Sequence, residues 1–203
     1  MWTVAWPHSV PPWVAVSSEA LNDLYWLAVR ARQEVPSSDR AAAITATVSW
    51  LHGGQDAPIT GRPARMVSSS AAEAELWAAR RVIEPGAVDL QWITRALGVR
   101  YLRPDPVSTS WAVGVAQTLD WVMGPARYAL PPMDLPRRGP DGKLRTVEEL
   151  YQAARARRSG RWGPAERIEA HHNADLAVTR SRRLARLIDA TRHRVQTSQT
   201  PSP

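Results

Sequence analysis

Three stretches carry residues whose types and spacing could do chemistry. The first is ERIEAHHNAD, residues 166–175. It places Glu169 three residues before His172 and His171 four before Asp175, spacings that bring each pair onto one helix face. A Glu-x-x-His step is half of a di-iron carboxylate site. The other half requires a second such step and two further glutamates, and no second Glu-x-x-His occurs in the chain. His8, His52 and His193 have no metal-type neighbours. The stretch therefore reads first as a solvated or partner-facing helix side and only second as a metal site.

The second is SWLHGGQDAPITGRP, residues 49–63. A His-Gly-Gly oxyanion loop of the esterase kind needs a G-x-S-x-G elbow elsewhere, and none is present. A phosphate loop needs its glycines at a helix N-terminus with Lys-Ser/Thr after them. Here the glycines follow a helical pattern and no lysine follows them. The expectation is a helix stop, with Gly53 in the left-handed conformation that closes a C-terminus.

The third feature is arginine. One cluster holds Arg155, Arg157, Arg158 and Arg161, and another holds Arg180, Arg182, Arg183, Arg186, Arg192 and Arg194. Arg182 and Arg186 are four apart, as are Arg183 and Leu187, so a basic edge runs beside an apolar stripe. Guanidinium groups bind phosphates in bidentate fashion and release counterions. The bland alternative is a solvated basic face in an Arg-biased proteome. Of 26 basic side chains only Lys143 is lysine, a bias that suits a GC-rich bacterial or phage genome. Position is more telling than total: residues 1–136 sum to −1, and residues 137–203 to +8.

No serine, acid–base pair or metal cage forms a convincing catalytic set, so the chain leans towards binding rather than catalysis and implies no cofactor. The absence of cysteine excludes disulfides, Cys-ligated zinc and thiol chemistry. No apolar run approaches the roughly 20 residues that span a bilayer, and Met1 is followed by no basic n-region. The expectation is a cytoplasmic protein with no membrane partner. Its partner would be nucleic acid, a second copy of the chain, or an acidic protein.

The elements that must position these residues are mostly α. Residues 1–16 form a Trp- and Pro-rich extended arm, in which Trp2, Val4 and Trp6 alternate with smaller residues. Residues 17–128 form a helical core, 129–144 a Pro-rich linker, 145–195 a basic helical extension and 196–203 a disordered tail. Helices are expected from Ser18 to before Pro36, to about Leu51, from a Ser70–Glu73 capping box to Pro85-Gly86, over Leu90–Leu97, and over Ser108–Met123. Two more follow, one from a Thr146–Glu149 capping box and one over Ala165–His193. Most of the ten tryptophans should be core, each with a partner for its indole N–H.

Residues 88–102, VDLQWITRALGVRYL, resemble the first helix and turn of a helix-turn-helix through Ile93, Ala96, Leu97, Gly98 and Val99. Thr94 stands where the tight crossing prefers Ala, and Pro104 and Pro106 fall where the recognition helix should continue. An ordinary short helix with a Gly stop fits better. A shift of 71 superposes Ser37, Thr47, Trp50 and Gly53 on Ser108, Thr118, Trp121 and Gly124, a degenerate repeat. The expected fold is a helical bundle of two similar helical hairpins plus an intervening helix, with the arm and the basic extension attached.

Overall fold

The computed structural model describes residues 9–63, 67–86, 89–124, 129–157 and 162–198. It is mostly α, with seven helices and no strand among the described residues. They are α1 (Ser18–Glu34), α2 (Asp39–Leu51), α3 (Ser69–Ile83), α4 (Leu90–Ala96), α5 (Thr109–Val122), α6 (Val147–Arg157) and α7 (Pro164–Ser198). None is long and apolar enough to cross a membrane. The chain divides into two compact units between Met133 and Asp134.

In the N-terminal unit, side-chain caps set the helix starts. Ser17, Ser38, Ser68 and Ser108 each accept from the amide three residues on, satisfying a donor that the helix cannot. For α3 this corrects the expected box: Ser68 is the cap, and Glu73 instead accepts from the Trp77 indole at 2.9 Å. Ala71, Ala72, Leu76 and Ala79 lie on the buried side of α3.

Packing runs from α1 to α2, α2 to α5, α5 to α3 and α3 to α4. The intervening helix α3 thus lies on α5, while α2 and α5 meet directly. Small residues permit that meeting. A Cβ on Gly114 would stand 2.7 Å from the Arg40 carbonyl oxygen and 2.9 Å from the Ala43 Cβ. The repeat pairs Gly114 with Ala43, and the threonines four residues on behave alike. Thr47 and Thr118 are fully buried and each donates to the carbonyl four residues back, at 2.8 Å. At the rim, Arg40 reaches Gln117 Oε1 at 2.7 and 3.0 Å, and Arg80 bonds both carboxylate oxygens of Asp120 at 2.9 and 3.1 Å.

The tryptophans are less central than expected. Trp26 and Trp50 are buried, Trp92 is 65% exposed, and Trp13, Trp77, Trp111, Trp121 and Trp162 are half-buried. Three of the half-buried rings lay the indole on the body and direct N–H to a named acceptor: Trp13 to the Val67 carbonyl, Trp77 to Glu73 and Trp111 to the Pro58 carbonyl. The polar atom draws these rings to the core's edge. Trp2, Val4 and Trp6 lie outside the described residues. The described part of the arm turns at Pro11–Val14 and ties Ala15 N–H to the Val122 carbonyl at 2.9 Å.

In the C-terminal unit, the reciprocal Thr146–Glu149 box starts α6: Thr146 N–H donates to the Glu149 carboxylate, and Glu149 N–H to Thr146 Oγ1. Residues 137–145, within and just past the expected linker, close into a hairpin. Gly139 N–H donates to Lys143 O and Arg145 N–H to Arg137 O, around an Arg138–Leu144 bridge. Pro140-Asp141 fills the turn, and Gly142 takes φ 74° at the position where that hairpin needs the left-handed region. Helix α7 runs to Ser198, past the expected end near His193.

Candidate nucleic-acid interface

The glycines of SWLHGGQDAPITGRP stop a helix. Gly53 has φ 71°, its N–H donates to Trp50 O at 2.8 Å, and Gly54 N–H donates to Ser49 O at 2.8 Å. These two bonds form the Schellman closure. Gly124, its match in the repeat, also has positive φ, but Pro125 has no N–H to give the second bond. The rest of the stretch is held by a residue the sequence reading overlooked. Glu75, fully buried on α3, accepts from Ile59 N–H at 2.5 Å and Thr60 N–H at 3.1 Å, and its second oxygen lies 2.6 Å from Thr60 Oγ1. Burial pushes its carboxyl above the ordinary range, against those hydrogen bonds and the nearby Arg62 charge. Glu75 is therefore not a solvent-side carboxylate. Glu75 fastens the loop after α2 to α3, and Asp105 N–H and Trp111 add bonds to the carbonyls of Ile59 and Pro58.

The helix-turn-helix resemblance ends at Gly98. Gly98 N–H donates to Arg95 O and Val99 N–H to Thr94 O, and no helix begins before Thr109. In ERIEAHHNAD, His171 packs against the Tyr151 ring at 5.8 Å between centroids, and Glu169, His172 and Asp175 are exposed. Among the described residues, no three His, Cys, Asp or Glu side chains are placed to share a metal.

The arginines are positioned by the α6–α7 pair. Leu150 of α6 meets Ala174 and Val178 of α7, with Val147, Tyr151 and Ala177 at the margin. That packing fixes which side of α7 is inward, and Ser181 extends it by accepting the Arg137 amide at 3.0 Å. Arg182, Arg183 and Arg186 are exposed on the other side. At 3.6 residues per turn they fall within an arc of about 100°. None of the three bonds to another described residue.

The remaining expected contacts separate by environment. Arg155 and Arg157 are exposed at the end of α6. Arg158 and Arg161 lie outside the described residues. Arg180 is exposed but ion-paired with Asp134. Arg192 is half-buried, Arg194 exposed, and both already have interactions within the protein. Arg137, Arg138 and Arg145 were missed by the sequence reading. The available signal was Gly-Pro-Asp-Gly between two arginine-bearing flanks, a turn that brings those flanks together.

Comparison with protein-family models, curated proteins and solved structures finds no match for this chain. The functional reading rests on the geometry alone.

Proposed function

We propose that this is a non-enzymatic binding or assembly protein of the cytoplasm whose α7 contacts the backbone of nucleic acid. The observation that carries the reading is the charge of one helix segment. From Leu176 to Ser198, α7 holds six arginines and a single acid, Asp189, and three of those arginines stand exposed on one face with no bond to a described residue. Such a face offers bidentate donors to phosphate oxygens without reading bases. Binding should therefore fall steeply with salt and show little sequence preference.

Fluorescence anisotropy with a labelled DNA duplex at two salt concentrations tests this. The full-length protein should bind at low salt, and the R182Q/R183Q/R186Q variant should bind more weakly. Equal binding by the two, or none by the unaltered protein at low salt, would sink the reading.

A second reading has its own support. Ile168 and Leu176, on α7, are 72% and 53% exposed and eight residues apart, so with His172 they share a side of the helix. This apolar strip suits self-association. Multi-angle light scattering should then report a dimer that I168S/L176S returns to monomer. A monomeric unaltered protein at high concentration would exclude it.

A further inference from the structure

The hairpin and α6 together enclose a cleft of about 380 Å³ in the C-terminal unit. Its polar lining is arginine: Arg137, Arg138, Arg145 and Arg157, over a floor of Leu150, Ala153 and Ala154. Among the described residues, no acidic side chain lines it. Four like charges line one concavity, and a bound anion eases their mutual repulsion. A fold carries such a grouping at least cost when an anion occupies it.

Two of the four guanidinium groups are held by the hairpin itself. Arg138 Nη1 donates to Gly142 O at 2.9 Å, across the turn, and Arg145 Nε donates to Arg138 O at 3.1 Å. Both side chains are half-buried. The Arg145 bond uses only Nε, and neither Nη group bonds to a described residue, so both face a ligand without a competing partner among those residues. The Arg137 backbone is fixed at both ends, its N–H on Ser181 Oγ and its carbonyl on Arg145 N–H. Arg137 and Arg157 stand exposed at the mouth, and neither side chain bonds to a described residue.

We propose that this cleft binds a terminal phosphate, that is, a phosphomonoester or inorganic phosphate. A terminal phosphate carries more charge than a backbone phosphodiester and presents three free oxygens, so it can take bidentate forks from several arginines at once. The recessed shape admits a protruding end group. A duplex backbone, convex and flanked by neighbouring phosphates, suits the open face of α7 instead. The site is separate from that face and does not depend on it.

Thermal unfolding of the full-length protein with added inorganic phosphate, against chloride at equal ionic strength, tests the proposal. Phosphate should raise Tm saturably by roughly 3–8 °C. R137Q/R157Q, which alters only the mouth and leaves the hairpin's own bonds intact, should lose most of that rise. R182Q/R183Q, on the α7 face, should keep it. The proposal is overturned if phosphate and chloride act alike, or if R137Q/R157Q responds as the unaltered protein does. Single-stranded DNA then identifies the source. Stronger competition by a 5′-phosphorylated oligonucleotide than by its 5′-hydroxyl form assigns a nucleic-acid end, and equal competition by the two assigns a small phosphate.

Discussion

The two units solve the problem of holding helices together in opposite ways. In the N-terminal unit, α2 and α5 approach closely over Ala43 and Gly114, and the core includes Leu21, Leu24, Ile44, Trp50, Leu76 and Leu119, all fully buried. Even its loop is fastened inward, by a carboxyl group with no exposure. The C-terminal unit joins α6 to α7 over Leu150, Ala174 and Val178 and gives most of the surface of α7 to charge. In the first unit Thr47, Glu75 and Thr118, all fully buried, bond to its own backbone. The second leaves arginines on its surface with no bond to a described residue. Under the proposed function the first unit is the scaffold and the second the binding element, so substitutions in each should move different measurements.

The largest expected effect is at Glu75. E75A removes the acceptor for two loop amides that lie at the buried end of the bond, and each such orphan costs about 1–3 kcal/mol, so the total loss should be about 3–5 kcal/mol by chemical denaturation. Binding of nucleic acid by the protein that remains folded should not change. E75Q tests the charge separately. Its Oε1 can accept both amides and its Nε2 can donate to Thr60 Oγ1, so it reproduces the protonated acid. Because burial raises the carboxyl pKa in the folded state, Glu75 contributes its full stability below its unfolded value, and that contribution is lost as pH rises through the raised folded value. Stability at neutral pH should therefore be equal or higher in E75Q, and the pH-dependent loss present in the unaltered protein should be missing from it. An E75Q less stable than the unaltered protein at neutral pH would mean that the ionised carboxylate is the required form.

The converse substitution in the second unit should move binding and leave stability alone. R182Q/R183Q/R186Q should lower the slope of log K against log salt by about 2.7, since each phosphate contact on B-DNA contributes roughly 0.9. Because those side chains make no bonds to described residues, unfolding should change by no more than about 0.5 kcal/mol. A large stability loss with an unchanged slope would dissolve the contrast between the units.

Much of this was legible in the sequence because it is local. Gly53 and Gly98 end helices, and Thr146 with Glu149 forms the box that their spacing suggests. Each depends on residues within one turn of each other. Long-range placement was not legible. Glu75 and Glu73 lie two apart on the same helix, one fully buried and the other half-buried. Only the position of the loop after α2 tells them apart. The arginine cleft was hidden for a related reason. Proline and glycine between 136 and 142 suggest a linker by composition, whereas their order builds a turn that brings Arg137 to Arg145. Arg180 shows the limit of charge counting: its neighbour Asp134 is 46 residues away in sequence.

A smaller effect is expected at the α2–α5 contact. Alanine favours a helix over glycine by about 1 kcal/mol, so G114A would stabilise an isolated α5. In the unit, the new methyl meets the Arg40 carbonyl at 2.7 Å, and the helices must part. The packing cost, about 1–3 kcal/mol for overfilling a tight core, should exceed the propensity gain and leave a net loss of about 1 kcal/mol by denaturant unfolding. A net gain would mean that α2 and α5 can separate freely, and the close approach would not be what holds the first unit.

The smallest effect sharpens the comparison from the other side. T146A removes one half of the capping box on α6, a change worth about 1 kcal/mol at a helix start. In the N-terminal unit such a loss would be spread over a large core. Here α6 is secured chiefly by Leu150, so fraying of its first turn acts directly on the α6–α7 contact and on the hairpin wall of the arginine cleft. Hydrogen exchange should therefore quicken along α6 and at Arg145, whose amide closes the hairpin, while α2 and α5 keep their protection. Exchange that quickened equally in both units would show that they unfold as one, and that the division between scaffold and binding element is not a division in stability.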